Sequence, residues 1–383
     1  MLMFTTFDRY LLGRMLHTFA MIFIAAYGLY IVFDLFTNID DFQQTTTTIE
    51  STSTRIGMLF LRIAAYYLYR SAEFFEMAGP VLIVLAVITV LGLLQKNSEC
   101  YPILAAGIPT FRLLKPMLIA AGLLNVALII NQEFIIPAIA VQLQTPRGNV
   151  ADKVQKVEPV YDVQNQHMHI DGDHVVVKEQ KLHGASFTLP YPDYVTQLST
   201  LKAESAVFVP ENAKHPSGWF LKNLTGVFDP EVLTAEGATR VLPHKNGKDV
   251  FVVSSVSFDQ LYNRGRNLKL VSSAQLVHRI RNPSTGRVHV QRQCLTLHSR
   301  ITRPLLCLLS ITMALPLIVR KESRSLIMNM AVCAAVLGFF YALTQGCLAL
   351  GSSGTWIRPD LAAWLPVILS GIASTWTSGY VQT

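Results

Sequence analysis

Met77-Ala-Gly-Pro-Val-Leu-Ile-Val-Leu-Ala-Val-Ile-Thr-Val-Leu-Gly-Leu-Leu-Gln95 carries no ionisable side chain. A helix needs about 20 residues to cross the hydrocarbon of a bilayer, and a helix apolar all round has no face to turn to water. Five further stretches read the same way. Met15–Phe33 and Pro116–Gln132 lie on the N-terminal side; Pro304–Val319, one span within Ser325–Ile357, and Leu361–Thr383 lie on the C-terminal side. Between the third and fourth runs a polar segment, from about Ala138 to His298. The expected fold is a membrane α-helical protein with six transmembrane helices, three on each side of an inserted all-β domain. The expected boundaries are 1–137, 138–298 and 299–383.

Composition agrees. Of 383 residues, 51% are hydrophobic and only 15% charged, with a mean hydropathy of +0.37; soluble domains carry about 25% charge. Pro304–Val319 is the shortest run and holds Thr312 and Pro316, yet an odd number of spans would strand Arg320, Lys321 and Arg324 on the wrong side. The net charge of +7 is spread over loops and insert with no aromatic-interleaved basic stripe, so no nucleic-acid partner is expected. Cys100, Cys294, Cys307, Cys333 and Cys347 form no CxxC pair, and the last three sit in apolar runs as small packers. Asp8, Arg9 and Arg14 precede a run too long for a cleavable signal.

Short-loop charge sets orientation. Arg9 and Arg14 precede the first span; Lys96, Arg112 and Lys115 flank the loop after the second; Arg320, Lys321 and Arg324 follow the fourth. These places alternate, so both termini are expected in the cytoplasm and the insert outside. Thr45–Thr54 reads as a solvated linker. Ile56, Leu59, Phe60, Ile63 and Tyr67 recur at helical spacing, and Gly79-Pro80 reads as a break before the second span.

The insert reads as many short strands: His167–Ile170, Val175–Lys178, Ser186–Leu189, Ala206–Val209, Trp219–Leu224 and Val250–Phe258. Turn residues separate them, as at Asp171-Gly172-Asp173 and Pro190-Tyr191-Pro192. A sandwich, jelly roll or open barrel fits. His167 and His169 would share a strand face, with His174 and His183 near, but a solvated sheet face is the better reading than a metal site. No Walker A motif and no hydrolase signature occurs, so no cofactor, metal or catalytic residue is expected; any ATP hydrolysis belongs to a partner. Glu133, before Pro137, reads as an interface residue bonded to neighbouring backbone.

The most specific stretch is Gln95-Lys-Asn-Ser-Glu-Cys-Tyr-Pro-Ile-Leu-Ala-Ala-Gly-Ile-Pro109. Ser98 and Glu99 would start a short helix and Gly107 end it, with Ile103, Leu104 and Ala106 as an apolar face. Such a stub either lies along the membrane or inserts into a groove on a soluble partner, Glu99 meeting an arginine.

Here the chain resembles the LptF/LptG permeases, membrane subunits of the ABC transporter that extracts lipopolysaccharide. Phe7-Asp-Arg-Tyr-Leu11, Pro80 through Ser98-Glu99 and Ala105-Ala-Gly-Ile-Pro109, Asn131 to Pro137, Gly218-Trp-Phe-Leu221, and His298-Ser-Arg-Ile301 through Pro304 look like that family's motifs, in its order. The resemblance implies a β-jellyroll insert facing the periplasm and a heterodimer with a paralogous permease in the bacterial inner membrane. It further implies a cytosolic ATPase dimer docked on a coupling helix at 97–108, and periplasmic bridge proteins that receive the lipid by strand addition. It makes Ser98, Glu99, Ile103, Leu104, Ala106 and Gly107 coupling residues, and Tyr27, Phe33, Phe339, Phe340 and Tyr341 cavity or gate residues between the first and fifth helices. Against this stands the commoner fate of a membrane aromatic, which faces lipid or a neighbouring helix. The N-terminal pattern leans towards the G type. G-type members often place lysines at the outer end of the first helix, whereas here the stretch reads Ile31, Asp34, Thr37, Asn38, Asp40 and Asp41. Arg62, Arg70 or Arg358 would then meet a phosphorylated headgroup, or the partner supplies the charge, or the lipid is less anionic. Two other readings compete. A force-transmitting permease of the MacB/FtsX type has four helices, with its main outer domain after the first. A membrane-anchored enzyme or sensor would need a site on the insert.

Overall fold

The computed structural model describes residues 6–44, 52–99, 111–144, 154–157, 159–176, 179–211, 216–226, 229–244, 248–262, 268–283, 287–319, 326–353 and 357–379. The chain divides into two compact units, 1–139 with 294–383, and 140–293.

The first unit is helical. Its long helices are α1 (Thr6–Gln44), α2 (Thr52–Lys96), α3 (Phe111–Ile130), α4 (Arg287–Val319, in this unit from Cys294), α5 (Leu326–Ser353) and α6 (Pro359–Gly379). Among the described residues five segments are long and apolar enough to cross a membrane: Thr6–Asn38, Leu59–Lys96, Lys115–Ala138, Val290–Ile318 and Met328–Ser353. The sixth expected span is occupied by α6, which is not among those five.

The expected break at Gly79-Pro80 does not form: α2 runs through Pro80 as one helix of 45 residues. The small Gly79 serves packing instead, since a Cβ there would lie 2.7 Å from Leu128 Cδ2 on α3. Of the expected Thr/Ser linker, Thr52–Thr54 already belong to α2, and 45–51 lie outside the described residues.

α2 is the hub. Ile83, Ala86, Val87, Val90 and Leu94 are fully buried against Leu11 and Met15 of α1, Met117 and Ala120 of α3, Ile311 and Ala314 of α4, and Cys333 of α5. Lipid tails are as apolar as leucine, so close fit rather than exclusion of water holds these helices together. Glycine allows that fit twice more. A Cβ on Gly92 would stand 2.9 Å from Met330 Sδ, and one on Gly351 would stand 2.4 Å from Ala362 Cβ on α6. Thr312 of α4 and Ser374 of α6 share a 2.6 Å hydrogen bond.

Among its described residues the second unit carries a nine-stranded antiparallel sheet in the order β1-β4-β5-β6-β7-β9-β8, with β3 pairing both β2 and β5. The strands are β1 Val154–Lys156, β2 Val160–Asp162, β3 Met168–Asp171, β4 His174–Val176, β5 Lys181–Thr188, β6 Thr200–Val209, β7 Gly218–Leu224, β8 Val241–Pro243 and β9 Val250–Val253. Alternation makes the core: Val160, Met168, Ile170, Val175, Leu182, Phe187, Ala206, Trp219, Leu221 and Val252 all point inward from successive strands. Trp219 is completely buried and donates its indole N–H to the Val256 carbonyl at 3.0 Å.

The insert is not all-β. Short helices occur at Ala235–Arg240, Phe258–Tyr262 and Ser273–Arg281, the last closed by a capping box between Ser272 and Gln275. The run Val250–Phe258, read as one strand, stops at Val253 because its hydroxyls are drawn aside. Buried Asp162 accepts from Ser254 Oγ (2.6 Å), Ser255 N (2.9 Å), Ser255 Oγ (2.7 Å) and Asn165 Nδ2 (2.7 Å), and the chain turns into a helix at Phe258.

Candidate functional site

Ser98 is not a helix start. Its φ of +59° is left-handed, whereas an N-cap is extended. It closes α2 instead: the Ser98 amide donates to the Gln95 carbonyl (3.1 Å) and the Glu99 amide to the Leu94 carbonyl (3.0 Å). That is the paired bonding of a Schellman motif, with serine in the place usually held by glycine. The motif projects Glu99 away from the end of α2. Ile103, Leu104, Ala106 and Gly107 lie outside the described residues.

The Glu99 carboxylate is held within the chain. Arg14 Nη1 of α1 donates to both oxygens at 3.0 Å, Asn97 Nδ2 to one at 3.2 Å, and the Tyr10 hydroxyl to the other at 3.4 Å. Tyr10 and Arg14 stand one turn apart on α1, with the guanidinium carbon 5.6 Å from the ring centre. Partial burial opposes the charge on Glu99, but the bonds from Arg14 and Asn97 and the charge of Arg14 outweigh it and hold the carboxyl below the usual range. The expected arginine is thus met first inside the chain.

The aromatic candidates separate into two groups. Tyr27 is half-buried between α1 and α2: its hydroxyl donates to the Tyr67 carbonyl, and its ring packs on Phe23, Tyr30 and Phe74. Phe340 packs partly against the helical core. Phe33, Phe339 and Tyr341 are exposed. Of the expected headgroup arginines, Arg70 pairs with Glu73 and lies over the Tyr66 ring, Arg358 is exposed 3.8 Å from Asp360, and Arg62 is partly exposed. Asp34 accepts from the Tyr67 hydroxyl at 2.9 Å, tying α1 to α2.

A charged cluster that the sequence does not show as such joins three helical segments. Arg303 of α4 bonds Glu76 of α2 at 2.7 Å, and Arg300 of α4 lies 3.8 Å from Glu133. Glu133 therefore pairs with a cation, beyond the backbone contact expected of it. It sits in a π-helical turn, Asn131–Ile135, whose Asn131 side-chain Nδ2 donates to the Ala72 carbonyl of α2 at 2.9 Å. Single π-turns inside helices collect at working parts of proteins. The signal was present: the apolar runs begin or end one residue from Glu76, Glu133 and Arg303. Ionisable groups within membrane-length helices pair with each other or mark function.

In the insert, His167 lies at φ +62° in the turn before β3, so it shares no strand face with His169. His174 and His183 are register partners with rings stacked 4.9 Å apart. Among the described residues no three ligands gather for a metal.

Over residues 9–380 the sequence matches the protein family described as Lipopolysaccharide export system permease LptF/LptG. Among curated proteins no significant match is found.

Proposed function

The chain belongs to the lipopolysaccharide export permease family LptF/LptG, a transmembrane transport component, and from that membership we propose that it is one permease subunit of an ABC transporter. The transporter extracts lipopolysaccharide or a related glycolipid from the inner membrane. α6 completes six spans, both termini face the cytoplasm, and the sheet unit is a periplasmic jellyroll that passes lipid to bridge proteins by adding strands at its edge. The domains function as 1–137, 138–298 and 299–383. A paralogous permease forms the other half, and a cytosolic ATPase dimer docks on 97–108 through Glu99.

The observation that carries this reading is how unevenly the spans are covered. Only 6% of the most apolar stretch of α1 and 11% of that of α5 is buried, against 56% for α2. These are the first and fifth helices, whose uncovered faces suit a vestibule shared with a second subunit, with Phe33, Phe339 and Tyr341 on it. Tyr27 and Phe340 act behind that surface. Arg62 and Arg358 are better placed to meet a headgroup than Arg70, whose charge is offset by Glu73.

Capture of the tagged chain from its own membranes tests the assembly: a second permease and an ABC ATPase are expected with it. Photo-crosslinkers on the inward residues of β5 and β6 are expected to label lipid only with ATP. Labelling of protein alone, with or without ATP, would favour a force-transmitting permease.

A further inference from the structure

We propose that Arg14 is a positioning residue: it fixes the Glu99 carboxylate to α1 and thereby carries movement between the motor-docking stretch and the first helix. This rests on the reading of Glu99 as the docking group.

Two elements hold that carboxylate. The Schellman closure of α2 sets the backbone of Ser98 and Glu99, and the guanidinium on α1 sets the side chain. A glutamate on a three-residue turn would otherwise sample several rotamers. The base of the clamp is firm, because Leu11 and Met15, flanking Arg14 on α1, are fully buried in the helical core, and Arg14 itself is 17% exposed. An ionised carboxylate offers about four acceptor directions. Arg14 reaches both oxygens through a single nitrogen, on the side of α1, while the Glu99 side chain remains 31% exposed. The pair orients the group without sequestering it, and a cationic donor on the motor would take the place of the long 3.4 Å contact from the Tyr10 hydroxyl. A displacement at Glu99 then pulls on α1, a helix little covered along its apolar length. Neither Arg14 nor Tyr10 belongs to the docking stretch in sequence; the fold brings them there across 85 and 89 positions.

The experiment uses the complex purified on this chain and set in nanodiscs containing lipopolysaccharide, reading lipid delivered to an acceptor per ATP hydrolysed. Arg14→Ala is expected to lower that ratio about fivefold, the lower end of coupling between sites. Arg14→Lys, which keeps the charge, is expected to recover at least half of the loss. Arg14→Ala added to Glu99→Ala is expected to cost nothing further. Should Arg14→Ala fail to accumulate, Arg14→Gln carries the same comparison. An unchanged ratio in Arg14→Ala, or losses that simply add, overturns the inference while Glu99→Ala, if uncoupled, still upholds docking. A Glu99→Ala complex that delivers lipid normally removes the docking reading and this inference with it.

Discussion

Ser98 shows how one residue type serves two ends of a helix. Its hydroxyl suggests an N-cap, yet the chain uses it at φ +59°, where glycine is the least strained choice. Ser98→Gly is expected to hold or raise thermal stability by up to about 1 kcal/mol, and Ser98→Val, β-branched in a left-handed position, to lower it by about 1–2 kcal/mol. Melting of the detergent-solubilised chain measures both. Glu99 adds a pH signature. Its carboxyl is held below the ordinary range, so the stabilisation is complete above the ordinary carboxylate range of the unfolded chain and is lost as pH falls through the depressed folded value. The stability gap between wild type and Glu99→Gln is therefore expected to persist from pH 7 to pH 5 and to close only in stronger acid. In the insert, Asp162→Ala would leave the Ser254, Ser255 and Asn165 donors without their shared acceptor. A loss of about 3 kcal/mol or more is expected, read as faster proteolysis within 140–293.

At the scale of elements, the cluster of Glu76, Glu133, Arg300 and Arg303 ties α2, the π-turn after α3, and α4. Removing one partner strands a charge, whereas replacing both removes the need for either. Glu133→Ala is accordingly expected to destabilise the chain more than Glu133→Leu with Arg300→Met, and a double-mutant cycle on thermal stability measures the difference. Gly351→Leu is expected to disrupt the α5–α6 contact, because even a Cβ would stand 2.4 Å from Ala362. Overpacking of this kind costs about 1–3 kcal/mol. The apolar runs located these helices but not their true lengths. α4 begins at Arg287, well before Pro304.

For the whole molecule, the uneven covering of the spans leads to a solvent-labelling prediction. Cysteines placed at Phe33 and Phe339 are expected to react readily in the separated chain and to be protected in the assembled complex. Equal labelling in both states would remove the second subunit from those faces. The insert follows a different logic. Its strands were legible because inward residues alternate, as in β5 and β6, while its helices were hidden because they are short and held by caps and side-chain bonds rather than by a long apolar period.

What the sequence determined alone was whatever depends on local composition: apolar runs that only a bilayer-spanning helix satisfies, alternation that makes a sheet, and the ordered motifs of the family. What only the tertiary structure decided were pairings across long separations. Arg14 meets Glu99, Asp34 meets Tyr67, and Arg303 meets Glu76 because helices far apart in the chain pack side by side. An ion pair leaves no periodic trace in sequence. Its energy depends on distance and burial, and both are set only when the helices have found one another.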